Sequence, residues 1–264
     1  MLNAALAEPI TAAEPAAPQL SVEALSVSDL RAEIDRIDDA LLELVEQRQA
    51  LARRVGAAKG ADDGRLRLKP DREAAVVERL VRKAEPWSKR LVAALWRELM
   101  SAGLSTQSEV EVVVWAGNDP ARRLDAARRR FGSSADYRMV STAQEALDAA
   151  EQGGAVAVLA VEPDAPWWTD LPEREDLWIF DALHGPRAAE PTALAVGRVS
   201  EAALARGQVF RISTGGDGDD TGARPRLVAM DQGVRLYAVT ETSAATAKLD
   251  RARGYIGRCS RALA

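Results

Sequence analysis

From residue 30 onward, apolar side chains recur at alternating intervals of four and three: Leu30, Ile34, Ile37, Leu41, Leu44, then Leu51 and Val55. This period predicts one amphipathic helix whose apolar stripe packs against other helices. Ser26, with Asp29 three residues on, has the form of a capping box and places the start near Ser26 or Ser28. The helix reaches residue 59 or 60, about 45 Å at the usual rise per residue. Asp62, Asp63 and Gly64 then make a turn. Pro70 stands where a first helical residue is favoured, with Asp71 and Glu73 in the first turn. The second helix continues through Val76, Val77, Leu80 and Val81 and stops before Pro86. A third carries Leu91, Val92, Leu95, Trp96, Leu99 and Met100, running to about Gln107. Residues 27–108 are therefore expected to be all-helical.

The period then changes. Strands are expected at 109–117, 137–141, 156–162, 177–183, 192–199, 209–213, 226–229, 234–239 and 255–259, from runs such as Val112, Val113, Val114 and Trp115. Helices are expected at 120–131, which is basic, and at 142–151. Strand–helix alternation of this kind predicts a parallel α/β sheet. The expected organisation is multi-domain: a poorly ordered Ala/Pro-rich tail over residues 1–26, a three-helix all-α domain over 27–108, and an α/β domain over 109–264.

Composition narrows the classes. With 264 residues, 47% of them hydrophobic, the chain can bury a substantial core in two domains. A net charge of −5 argues against a nucleic-acid or membrane-surface partner. No apolar run approaches the ~20 residues that span a bilayer. The lone cysteine, Cys259, forms no intrachain disulfide and suits a cytoplasmic location.

The candidate chemistry begins where the apolar stripe breaks. Position 48 falls on the seam, and it is arginine. A buried guanidinium without a partner costs several kcal/mol, so an anion is expected to meet it. That anion is either a protein carboxylate, with Glu43 and Glu46 nearby, or a ligand. Lys59 lies eleven residues on, on nearly the same face, with Val55 between. Arg31 points about 100° away and lies about 25 Å along the axis, so a second chain packed antiparallel would bring it to Arg48 more easily than the same chain could. Arg72 and Glu73 open the second helix, and Gln107 falls on the apolar side of the third. Cations, one carboxylate and one amide suit a small hydroxylated dianion.

The stretch Leu30-Arg31-x-x-Ile34-x-x-Ile37-Asp38-x-x-Leu41-Leu42-x-Leu44-x-x-x-Arg48, then Val55-Gly56-x-x-Lys59, Pro70-x-Arg72-Glu73 and Leu104-x-x-Gln107, resembles the all-helical AroQ class of chorismate mutase. The resemblance covers about 28–108. It implies an intertwined helical homodimer, each active site completed by an arginine of the other chain, and rearrangement of chorismate to prephenate with no cofactor and no metal. By the same resemblance Arg48, Lys59, Gln107 and Glu73 are catalytic, and Arg31, Arg72 and Val55 bind substrate. Lys59 and Gln107 would reach the ether oxygen and Glu73 the ring hydroxyl. The chain departs from the pattern at Gly103, where serine is frequent, at Lys69, where aspartate is common, and in a 59–72 connection about one residue longer. Isochorismate-pyruvate lyase, which shares the cation layout, and a non-catalytic helical dimerisation module are the competing readings.

Residues 109–264 carry a fainter likeness to prephenate dehydratase, which would make the chain a bifunctional enzyme. Glu162-Pro163-Asp164 stands where that family has Glu-Asn-Ser, and Thr192-Ala193-Leu194 where it has Thr-Arg-Phe. The expectation is a degenerate, inactive domain. His184 is expected in a loop. Asp217, Asp219 and Gly222 mimic part of a calcium loop, but Val228 stands where its closing glutamate would be. Trp167 and Trp168 are expected as packing anchors.

Overall fold

The computed structural model describes residues 26–58, 65–105, 110–185, 190–214, 225–240 and 249–260. The first helix, α1, spans Val27–Ala58. Its start is the expected reciprocal cap: Ser26 N donates to Asp29 Oδ2 at 3.0 Å, and Asp29 N to Ser26 Oγ at 3.2 Å. Helix α2 spans Pro70–Lys83, with proline in its first turn, and α3 spans Lys89–Ser105 after a one-turn 3-10 segment, Pro86–Ser88. The described part of residues 27–108 contains no strand.

All nine expected strands form: β1 (Glu111–Trp115), β2 (Asp136–Val140), β3 (Ala155–Ala160), β4 (Leu177–His184), β5 (Pro191–Arg198), β6 (Gln208–Ser213), β7 (Arg226–Asp231), β8 (Val234–Thr240) and β9 (Tyr255–Cys259). Helix α4 (Pro120–Phe131) joins β1 to β2, and α5 (Ala143–Gln152) joins β2 to β3. Both start on side-chain caps, Asp119 accepting from Arg122 N and Thr142 from Glu145 N. The strands make one sheet in the order β2-β1-β3-β5-β4-β9-β6-β8-β7.

The sheet is mixed, which corrects the expectation of a parallel one. Only β1–β2, β1–β3 and β4–β9 run parallel; β3–β5, β4–β5, β6–β8, β6–β9 and β7–β8 are antiparallel. A parallel pair needs a crossover long enough to hold a helix, and past β3 the links between successive strands hold at most short 3-10 turns among the described residues. His184 ends β4 rather than lying in a loop, its Nδ1 3.1 Å from Ala182 O.

The chain divides into two compact units, Met1–Glu46 and Gln47–Ala264, with α1 running through the boundary. In the first, the described residues are helical, and Leu30, Ile34, Ile37, Leu41 and Leu44 are exposed. In the second, the sheet has a core on each face. One core joins Val112, Val114, Val156, Val158 and Phe180 to Ala127 and Phe131 of α4. It also takes in Leu66 and Leu68 of the α1–α2 connection, so this segment folds onto the sheet, and Leu66 N donates to Arg198 O at 2.8 Å. The other core joins Leu159, Ile179, Leu194 and Phe210 to Leu147 of α5 and to Trp167 and Trp168. The two tryptophans are buried, meet edge to face at 5.9 Å, and are anchored by Trp167 Nε1 donating to Ala160 O.

Candidate functional site

Arg48 and Gln49 sit where the second half of α1 meets α3. Arg48 Nη1 donates to Leu99 O at 2.8 Å, and Gln49 Nε2 donates to the same oxygen at 3.0 Å. A Cβ on Gly103, one turn beyond Leu99, would lie 3.1 Å from Gln49 Oε1, 3.4 Å from Ala52 Cβ and 3.8 Å from Arg48 Nη1. The close contact between the helices therefore depends on the small residue at 103.

Among the described residues Arg48 has no carboxylate partner, and its acceptor is the carbonyl of Leu99. Burial pushes its guanidinium below the ordinary pKa, so the surroundings desolvate the charge without neutralising it. Gln49 Oε1 is buried and unpaired. Sequence reasoning passed over Gln49; the only signal was its place beside the seam arginine.

Glu73 belongs to a different cluster. Its Oε2 accepts from Arg130 Nη2 at 2.9 Å, and Arg130 Nε donates to Asp181 Oδ2. All three side chains are 17–19% exposed, so this is a mostly buried triad linking α2, α4 and β4. Burial alone would lower the Arg130 pKa, but the charges and hydrogen bonds of Asp181 and Glu73 outweigh it and keep the guanidinium above its ordinary value. The basic run in α4 was legible in the sequence; its partners on α2 and β4 were not.

Of the other sequence candidates, Arg31, Arg72 and Val55 are exposed, and Lys59 and Gln107 lie outside the described residues, as do Asp217, Asp219 and Gly222. Glu73 lines two cavities to which Arg48 does not contribute.

In the α/β region, Glu162 follows β3 and closes over the loop after β1. It accepts from Asn118 N and Nδ2 at 3.4 Å and from Arg123 Nη2 at 3.3 Å. Gly117 (φ 56°) allows this approach, since a Cβ there would lie 2.6 Å from Glu162 Oε1. Thr192 Oγ1 donates to Leu183 O at 3.2 Å, and Ala193 is wholly buried in the sheet core. Among the described residues no helix is long and apolar enough to cross a membrane.

Residues 30–108 match the family model described as chorismate mutase type II. Two curated proteins named bifunctional chorismate mutase/prephenate dehydratase are similar. One is from Aquifex aeolicus (strain VF5) and one from Pseudomonas aeruginosa, each 31% identical over 124 residues, or 45% of this chain. The chain spans about a third of the length of these relatives, 34% and 33%. The aligned stretch is longer than the segment matched by the family model. No solved structure matches the chain.

Proposed function

We propose that residues 27–108 form a chorismate mutase domain that rearranges chorismate to prephenate, and that residues 109–264 form an attached α/β domain without dehydratase activity. The observation that carries this reading is Arg48: a desolvated guanidinium with no carboxylate among the described residues, seated beside Gly103, inside the segment that matches chorismate mutase type II.

The rearrangement is unimolecular. It needs no nucleophile, no proton transfer and no cofactor. The protein contributes by holding the reactive shape and by stabilising charge as the ether bond breaks. Arg48 and the Arg31 of a second copy hold the two carboxylates, guanidinium forks being suited to them. Lys59 and Gln107 donate toward the ether oxygen. Glu73 offers its Oε1 to the ring hydroxyl while Oε2 stays with Arg130. Arg72 supports the carboxylate side, and Val55 packs on the ring.

The second copy is supported by the surface of α1, where Leu30, Ile34, Ile37, Leu41, Leu44, Leu51 and Val55 are 38–59% exposed in one chain. An apolar stripe of that length calls for a partner, and a homodimer supplies one. The single cysteine, buried at position 259, fits a cytoplasmic setting. An inactive second domain is supported by Ala193, which stands in the core where an arginine would be needed to hold a carboxylate.

The test is loss of chorismate absorbance on adding the full chain, with prephenate identified as product. In the same assay Arg48→Ala is expected to lower kcat/KM by at least ~100-fold, as for loss of one donor to a developing anion. Near-wild-type turnover by a folded Arg48→Ala variant would remove the proposed site. Phenylpyruvate formed from added prephenate above the spontaneous rate would make the chain bifunctional.

A further inference from the structure

A cavity of about 860 Å³ opens between α2, α3, α4 and the end of β4, and Arg48 is not among the residues that line it. Four arginines line it: Arg97 on α3, Arg129 and Arg130 on α4, and Arg206 between the short 3-10 turn Glu201–Ala203 and β6. Their counter-charges are unequally shared. Arg130 takes both Glu73 and Asp181. Arg129 pairs with Asp125 on its own helix. Arg97 has no hydrogen bond or ion pair among the described residues. Burial and the neighbouring Arg130 lower its pKa more than Asp181 raises it. Two other wall carboxylates do not compensate. Glu78 is held by Arg82 at 2.9 Å, and Asp71 is exposed in the first turn of α2.

Apolar residues share the wall about equally with polar ones, Val77, Met100, Phe180 and Leu204 among them. Arg206 is exposed, so Arg97 is the cation that burial desolvates without a counter-charge among the described residues. A concave site of this size with an apolar patch and a convergent charge is a usual form of small-molecule pocket. The Arg97 guanidinium is a planar fork of donors, which fits a carboxylate better than any neutral group. We propose that this cavity binds a small organic carboxylate with a ring-sized apolar body, the carboxylate on Arg97 and the body against Val77, Met100 and Leu204. Arg48 does not line this cavity, whereas Glu73, assigned above to the ring hydroxyl of chorismate, does. Because Arg130 holds Glu73 in the same wall, an occupant would touch the triad that ties α2 to the sheet.

The experiment titrates the full chain with benzoate, benzamide and acetate by calorimetry, without using catalytic activity. Benzoate is expected to bind saturably, with benzamide, which keeps the ring and lacks the charge, and acetate, which keeps the charge and lacks the ring, each weaker by about tenfold or more. Arg97→Gln is expected to weaken benzoate by about tenfold or more, and Arg48→Ala to leave it unchanged. Ala74→Phe, which fills the cavity from α2 with every arginine in place, is expected to weaken it as well. Absence of saturable benzoate binding would overturn the proposal, as would equal binding of benzamide. So would benzoate binding that is lost in Arg48→Ala and kept in Arg97→Gln. Should Arg97→Gln fail to fold, Ala74→Phe decides, and unchanged benzoate affinity in that variant overturns the site.

Discussion

At the scale of single residues, Gly103 and Gln49 set the geometry around Arg48. Glycine costs helix stability through backbone entropy, yet here it lies in the body of α3, against α1. Gln49 Oε1 is buried there with no donor. A serine at 103 would place its hydroxyl close to that oxygen, because the added Cβ alone comes within 3.1 Å of it. The contact is with the end of a flexible side chain, which can give. Gly103→Ser is therefore expected to raise stability by about 1 kcal/mol, from helix propensity and one new hydrogen bond. Denaturant unfolding checks this, and a fall in midpoint would mean that the helices cannot separate by even a few tenths of an ångström. The place of Arg48 between helices was legible in the sequence as a break in a periodic stripe. That of Gln49 was not, because a polar residue beside a seam has no periodic signature.

At the scale of elements, helix α4 ties the helical segment to the sheet. Arg130→Gln would leave Glu73 and Asp181 facing each other without their cation, at a cost on the order of 2–4 kcal/mol given that water still reaches the site. Thermal unfolding of the variant beside the parent chain at neutral pH measures it. The next element, β2, carries a pH-dependent contact. Tyr137 donates to Gly132 O at 2.5 Å, at the C-terminal end of α4. Burial, and then the charge of Glu98, push its phenol up to about 12, against the partial offset of Arg128. The folded chain then keeps this proton at pH values where the unfolded chain has lost it. Stability is expected to fall as pH rises from about 10 toward 12. Tyr137→Phe should flatten that alkaline limb while costing about 1 kcal/mol at neutral pH for the lost hydrogen bond. Equal alkaline slopes for the two proteins in denaturant melts would exclude the coupling. The nine strands and five α-helices of the described residues were legible from period, caps and turn residues. The direction of the strands past β3 was not, because pairing direction depends on what joins the strands.

At the scale of the whole molecule, the proposed dimer makes a prediction that one chain cannot meet. If Arg31 serves the other copy's site, co-refolding inactive Arg31→Ala with inactive Lys59→Ala should restore part of the activity, since one site of each mixed dimer then carries neither defect. A verified mixed dimer without activity would confine Arg31 to its own chain or to structure. Periodicity alone determined that the described part of residues 27–108 is helical without strands and that its longest helix carries a long apolar stripe, because such a stripe is set by local spacing. The candidate set from Arg48 to Gln107 was read from the order of residues through a family resemblance. Only the tertiary structure decided that Leu66 and Leu68 belong to the core of the sheet, that Arg130 holds Glu73 against Asp181, and that Arg97 faces a cavity without a counter-ion. Each of these joins residues far apart in the chain through packing of the α/β region. Charge pairing and burial depend on distance in space, which the order of residues does not encode.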